Sequence, residues 1–188
     1  KVNIVDRTVS ADPDNFVRAG NANPDYMMGW RNNFEWKGLT LGFLINARFG
    51  GVGVSSTQAK LDFFGASKAS ADARDNGGVL VNGQRIPAKE YYEVAGGGNS
   101  GIGSMYVYDA TNIRLAELSL GYNIPINRWV KWIQGAQVSL IGRNLIMFYN
   151  KAPYDPELTA STGTYFQGID YFMQPSTRNI GFSVKLDF

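Results

Sequence analysis

The sequence contains neither cysteine nor histidine among its 188 residues, and the two absences remove a large part of enzyme chemistry. Without Cys there is no disulfide, no thiolate nucleophile and no Cys-type metal centre. Without His there is no imidazole base, and the commonest zinc ligand is missing. Long hydrophobic runs are lacking as well: Gly, Asn or Arg interrupts every apolar stretch before the roughly 18 residues that a membrane-spanning helix needs. Neither sign of charge dominates. Lys and Arg number 18 against 16 Asp and Glu, leaving +2 dispersed along the chain, and no nucleic-acid partner is expected. The chain opens at Lys1 in polar sequence, without an initiator Met, a basic n-region or an apolar h-region, and is expected to be a piece of something longer.

What is present is 44% hydrophobic and 13% aromatic residues with 22 Gly, a composition suited to many strands, aromatic girdles and wide loops. Alternation supplies the strands. Along Tyr26–Trp36, Met28, Trp30, Phe34 and Trp36 share one face and Gly29, Arg31, Asn33 and Glu35 the other, with Asn32 as a polar interruption of the apolar side. Lys37-Gly38 predicts a tight reversal into Leu39–Phe49, where Leu39, Leu41, Phe43, Ile45, Ala47 and Phe49 oppose Thr40, Gly42, Asn46 and Arg48. A third strand is expected over 110–124; Ile113 and Leu115 are out of phase with Leu118, Leu120, Tyr122 and Ile124, which predicts a bulge near Ala116. A fourth covers 135–149 and a fifth 176–188. In the fifth, Ile180, Phe182, Val184, Leu186 and Phe188 alternate with Asn179, Gly181, Ser183, Lys185 and Asp187.

Between these strands the connections are short at 37–38 and 125–134 and long at 50–109 and 150–175. The 125–134 turn brings Trp129 and Trp132 to an expected interfacial level. In the first long loop a helix is expected near 57–64, with Ser55 or Ser56 as its N-cap. Strands of about 9 to 11 residues, with short and long connections in alternation, are the pattern of an outer-membrane β-barrel with periplasmic turns and extracellular loops. Five strands cannot close a barrel, and open edges are forbidden in lipid, so further strands must come from elsewhere. The competing architecture is a soluble carbohydrate-binding β-sandwich. It is disfavoured because its strands are usually shorter and because Arg and Lys here stand opposite wholly apolar faces.

The motifs that could carry chemistry are weak. Residues 96–101 satisfy G-x-G-x-x-G, but strand-like sequence follows where a dinucleotide site needs a helix. Asp155 and Glu157, two residues apart, suit a loop fixed by side-chain to backbone hydrogen bonds better than a glycosidase pair. Asp12-Pro13-Asp14-Asn15 offers oxygen ligands to Ca²⁺ but lacks the glycine and distal Glu of an EF-hand loop. No enzyme activity, metal or cofactor is assigned.

Several separated motifs do carry a resemblance. Gly20-Asn21-Ala22-Asn23-Pro24-Asp25-Tyr26, then Gly29, Asn33-Phe34-Glu35-Trp36-Lys37-Gly38 and Leu41, resembles the SusC/RagA family of TonB-dependent transporters. Val107-Tyr108-Asp109-Ala110 with Arg114-Leu115, Leu118-Ser119-Leu120-Gly121-Tyr122 and Pro125, and Gly142-Arg143-Asn144-Leu145 with Tyr154-Asp155-Pro156-Glu157, are similar to later segments of the same family. The match runs in order along nearly the whole chain.

The resemblance implies an all-β fold: the C-terminal strands of a 22-stranded antiparallel barrel in the outer membrane of a Gram-negative bacterium, with a periplasmic C-terminus. It also implies an N-terminal plug and TonB box outside this segment, and a SusD-like surface lipoprotein as lid. Transporter and lipoprotein could pair further as a dimer. The implied activity is TonB-dependent import of oligosaccharides or peptides; a siderophore or cobalamin receptor and a passive porin are the alternatives. Phe43, Ile45, Val184 and Leu186 would face outer-membrane lipid, and Arg31, Arg48 and Lys185 the lumen or plug. Tyr91, Tyr92, Tyr106, Tyr108, Tyr154, Tyr165, Tyr171 and Phe172 would contact substrate or pack the loops. Phe182, Val184, Leu186 and the terminal Phe188 would form the signal read by the barrel assembly machinery.

Overall fold

The computed structural model describes residues 2–3, 8–9, 18–97, 103–126, 132–155, 157–158, 163 and 166–187. In chain order the elements are β1 (Val2–Asn3), β2 (Thr8–Val9), β3 (Tyr26–Trp36), β4 (Leu39–Phe49), β5 (Val52–Ser55), α1 (Ser56–Phe63) and α2 (Lys68–Asp75). There follow β6 (Val79–Val81), β7 (Gln84–Ile86), α3 (Ala88–Ala95), a 3-10 turn (Gly103–Tyr106), β8 (Val107–Asp109), β9 (Asn112–Ile124), β10 (Gly135–Asn150), β11 (Ile169–Asp170) and β12 (Asn179–Asp187). The chain divides into two compact units: a sheet unit of Pro24–Gly50, Ala110–Lys151 and Pro175–Phe188, and a mixed unit of Lys1–Asn23, Gly51–Asp109 and Ala152–Gln174.

The sheet unit is one antiparallel sheet in the order β12-β10-β9-β4-β3. Its hairpin of β3 and β4 turns at Lys37 and Gly38, whose φ of 48° and 83° are the paired positive values that a two-residue turn needs to match the strand twist. Register then carries the alternation across the sheet. Phe34 stands opposite Leu41, Leu41 opposite Leu120, Leu120 opposite Leu140 and Leu140 opposite Phe182, so one rung places five apolar side chains on one face. Each such cross-strand pair contributes about 0.2 to 1 kcal/mol.

The phase break lies where the sequence places it. β4 pairs Leu44 with Glu117 and the next residue, Ile45, with Leu115, so Ala116 is the extra residue of a bulge. Beyond it Ile113 and Leu115 return to the apolar face. β9 starts at Asn112 rather than 110, because at this end Thr111 turns its hydroxyl to accept from the Gly50 N–H at 3.0 Å. β10 runs one residue past the expected 149, and the last strand begins at Asn179 rather than 176 and is described as far as Asp187. Phe188, Trp129 and Asp12 to Asn15 lie outside the described residues.

Pairing of Arg48 with Asn112, and of Asn112 with Asn150, brings the end of β4, the start of β9 and the end of β10 to one edge of the sheet. Both long insertions therefore leave the strands from the same end, and the 37–38 and 125–134 connections belong to the other.

The mixed unit bears out the helix expected near 57–64, as α1, and adds elements that the long loops were not expected to hold. Among the described residues it holds three helices rather than one, and a three-stranded sheet ordered β11-β5-β8. Local signals and one distant partner account for this. The Ser55 side chain accepts from Gln58 N–H and caps α1, and Ser67 does the same for α2 through Ser70 N–H; each satisfies a backbone donor that the first turn leaves over. Ser55 also donates to Asp170 Oδ2 at 2.7 Å, tying β11, 115 residues away, to the end of β5. Two buried alanines, Ala88 and Ala95, let α3 come close to its neighbours, and Gly96 allows the nearest approach: a Cβ there would meet the Ala59 carbonyl and, at 2.9 Å, the Phe63 nitrogen.

Candidate functional site

The two faces of the sheet differ in chemistry, as the alternation requires. On the apolar face Trp30 is 56% exposed and Phe182 82%, Trp30 meeting only the edge of its neighbour Phe43 among the ring contacts of the described residues. Tyr26 stacks on Phe49 with ring centroids 4.8 Å apart at one end, while Trp36, Leu39 and Tyr122 share a rung at the other. Trp132 is also exposed. Ile180, Val184 and Leu186 continue the apolar face along β12.

The opposite face carries Arg31, Arg48 and Lys185, the three cations expected there by parity. Glu117, which sequence reasoning passed over, lies between two guanidinium groups: Arg31 Nη2 donates to its Oε2 at 2.6 Å, and Arg143 Nε reaches its Oε1 at 3.5 Å. Arg31, Glu117 and Arg143 occupy one rung, through Leu44. With Asn33 and Ser119 they line a shallow cavity of about 200 Å³. Lys185 pairs with Asp187 on its own strand at 3.2 Å. A signal for Glu117 did exist: it is the acidic residue next to the bulge.

The expected aromatic contacts do not form one site. Tyr91 and Tyr92 meet edge to face on α3, centroids 5.0 Å apart. Tyr108 meets Tyr154 at 6.4 Å, and Tyr154 lies over Gly53, where a Cβ would collide with its hydroxyl. Tyr171 and Phe172 form an exposed edge-to-face pair. Tyr106 is different: at 3% exposure it is a packing residue, its hydroxyl donating to Asp62 Oδ2 at 3.1 Å. Tyr165 lies outside the described residues.

Asp62 organises this region. Gln58 Nε2 donates to its second oxygen at 2.8 Å, so the buried carboxylate is satisfied on both sides. Burial first, and then the negative charge of Asp62, raises the phenols of Tyr91, Tyr92, Tyr106 and Tyr108 above their ordinary value. Beside Asp62 is a larger cavity, about 750 Å³, whose walls include Phe63, Phe64, Arg74, Lys89, Tyr92 and Glu93. Among the described residues, Tyr92 is the one expected contact residue that belongs to it.

The remaining motifs take structural roles. Gly96 ends α3 against α1, and Gly103–Tyr106 is a 3-10 turn entering a strand, not the helix that a dinucleotide would need. Asp155 Oδ1 accepts from Glu157 N–H at 3.2 Å, which is the loop-fixing arrangement expected of that pair.

No protein-family model matches the chain. Among curated proteins of Formosa agariphila it is similar to TonB-dependent receptor P3, 26% identical over its whole length, and to TonB-dependent receptor P39, 30% identical over 90% of the chain. It spans less than a fifth of either relative, 18% and 17%. Among solved structures it matches a chain of the RagAB peptide importer in the open-open state, with a TM-score of 0.63, 19% identity and 88% of this chain covered against 17% of that one. The closed-closed state gives a TM-score of 0.61, at 19% identity over 90% of this chain and 18% of the other. Similarity along the full sequence, a shared fold and the motifs beginning at Gly20 agree: the chain resembles a SusC/RagA-type segment of a TonB-dependent receptor and has the fold of the matching strands of the RagAB importer.

Proposed function

We propose that this segment is the C-terminal part of a barrel that imports peptides or oligosaccharides across the outer membrane, energised through TonB and working with a SusD-like surface lipoprotein. The observation that carries the reading is the exposed apolar face running over five strands with Asn32 as its polar interruption, opposite a face bearing Arg31, Glu117, Arg143 and Lys185. In water such a face would cost tens of kcal/mol at about 25 cal/mol per Å²; in lipid it is the favoured surface. From Tyr26 to Trp36 the strand advances about 33 Å, which at a tilt of about 40° projects to the roughly 25 Å apolar band of a barrel.

In this reading the barrel has 22 strands, further strands pair with the outer edges of β3 and β12, and a plug fills the lumen against the charged face. The C-terminus is periplasmic, and the mixed unit is extracellular, where it meets substrate and lipoprotein. Phe182, Val184, Leu186 and Phe188 address the barrel to its assembly machinery, and two transporter–lipoprotein pairs can associate. The similarity to a peptide importer supports peptides over glycans as cargo.

The test is uptake by the intact receptor in its own membrane, using labelled peptides and oligosaccharides too large for porins. Uptake that needs both TonB and the lipoprotein supports the proposal. Uptake unchanged without TonB identifies a passive porin and overturns it.

A further inference from the structure

The cavity in the mixed unit is built for a ligand of definable chemistry. Its volume of about 750 Å³ falls within the roughly 300 to 1,000 Å³ of small-ligand pockets. One side is aromatic. Phe63 and Phe64 at the end of α1 meet edge to face at 4.9 Å, Tyr92 faces in from α3, and Phe64 is 75% exposed, an apolar surface left open beside the void.

The other side is charged. Arg74 near the end of α2 and Lys89 at the start of α3 are exposed cations whose own partners, Asp75 at 3.1 Å and Glu93 at 3.8 Å, hold them weakly in water. The Asp62 oxygens already accept from Tyr106 and Gln58. What faces a ligand is therefore two cations, one acceptor carboxylate (Glu93) and an aromatic wall.

Resting on the importer reading above, we propose that this cavity receives the C-terminal residue of a peptide with a large apolar or aromatic side chain. The terminal carboxylate meets Arg74 and Lys89, the last amide N–H donates to Glu93, and the side chain packs against Phe63, Phe64 and Tyr92. A neutral sugar adds no counter-charge to the weak pairs that Arg74 and Lys89 make with Asp75 and Glu93. An acidic sugar satisfies both cations but offers the aromatic wall only the C–H face of its ring, whereas a peptide end supplies anion, donor and a larger apolar body together.

The experiment is calorimetric titration of the intact receptor in detergent with the tripeptide Ala-Ala-Phe as free acid, its C-terminal amide, Ala-Ala-Gly, and a uronate disaccharide. The free acid binds, and the amide and Ala-Ala-Gly bind about tenfold more weakly or worse, the loss expected when a charged hydrogen bond or a buried ring is removed. The double variant Arg74→Gln, Lys89→Gln changes only exposed side chains; it binds the acid about tenfold more weakly and ceases to distinguish acid from amide. Equal binding of acid and amide by the unaltered receptor, a double variant that binds like it, or binding of the disaccharide instead of the tripeptide each overturns the assignment. Heat-modifiable gel mobility of the same preparation reports the barrel separately. A folded barrel that binds no tripeptide defeats the pocket alone, and a preparation without one defeats the receptor reading.

Discussion

Arg31 and Glu117, 86 residues apart in sequence, meet on the polar face with Nη2 and Oε2 separated by 2.6 Å, and Arg143 approaches the same carboxylate from the other side. One negative charge thus screens two positive ones on a single rung. Because Arg31 keeps 60% of its side-chain surface open, the coupling energy in a double-mutant cycle of Arg31→Ala and Glu117→Ala is expected at about 0.2 to 1 kcal/mol, shrinking as salt rises. Denaturant titration of the folded receptor at low and high salt measures it. A salt-independent coupling of several kcal/mol would mean that the cluster is shut off from water.

How far this was legible in the sequence depends on the range of the interaction. The β3–β4 hairpin can be read residue by residue, because alternation fixes the faces and Lys37-Gly38 fixes the turn; the bulge at Ala116 follows from a phase break within one strand. Glu117 could be seen as polar, but its place between Arg31 and Arg143 depends on the pairing of β9 with both β4 and β10. The mixed unit was less legible still. Its helices are eight residues each, announced only by Ser55 and Ser67, and β11 is two residues held by parallel pairing with β5 and the Ser55–Asp170 hydrogen bond, partners 115 residues away. Composition could nominate the aromatic rings, but not divide them into the buried Tyr106, the cavity's Tyr92 and the exposed Tyr171–Phe172 pair.

The alternation on β12 makes a paired prediction. Phe182 points to the apolar face opposite Leu140, and its neighbour Ser183 to the polar face opposite Ser139. In a bilayer, Phe182→Arg is expected to cost about 2 to 4 kcal/mol, while Ser183→Arg costs little. Refolding into liposomes at graded denaturant reads both. Equal penalties would contradict lipid contact on one face and water on the other.

Close backbone packing of α1 and α3 predicts that Gly96→Ala disturbs the mixed unit by about 1 to 3 kcal/mol, since its Cβ would have to displace backbone. Gly103→Ala, with nothing within 4 Å of the added Cβ, is the control and is expected to be near neutral. Hydrogen exchange over 56–63 and 88–95 should accelerate in the first variant only. Protection unchanged in Gly96→Ala would show that the helices can move apart freely.

Tyr106 gives the unit an alkaline limit. Burial, then the charge of Asp62 and the hydrogen bond to it, raises the Tyr106 phenol in the folded state, while in the unfolded chain it ionises near its ordinary value of about 10. A raised pKa means that the folded state holds its proton after the unfolded state has released one. The stabilisation is therefore complete below about pH 10 and is lost as pH rises from there toward the folded value. The unit should open progressively above about pH 10, read as cleavage of the 56–95 region by an alkaline protease while the sheet strands stay intact. Tyr106→Phe should cost about 1 to 2 kcal/mol at neutral pH by leaving one Asp62 oxygen without its donor, and should also flatten this pH dependence, because the buried phenol is gone. Tyr91, Tyr92 and Tyr108, raised by the same causes, would leave a residual slope. If Tyr106→Phe kept the full wild-type pH response, the alkaline opening would have to belong to those three instead.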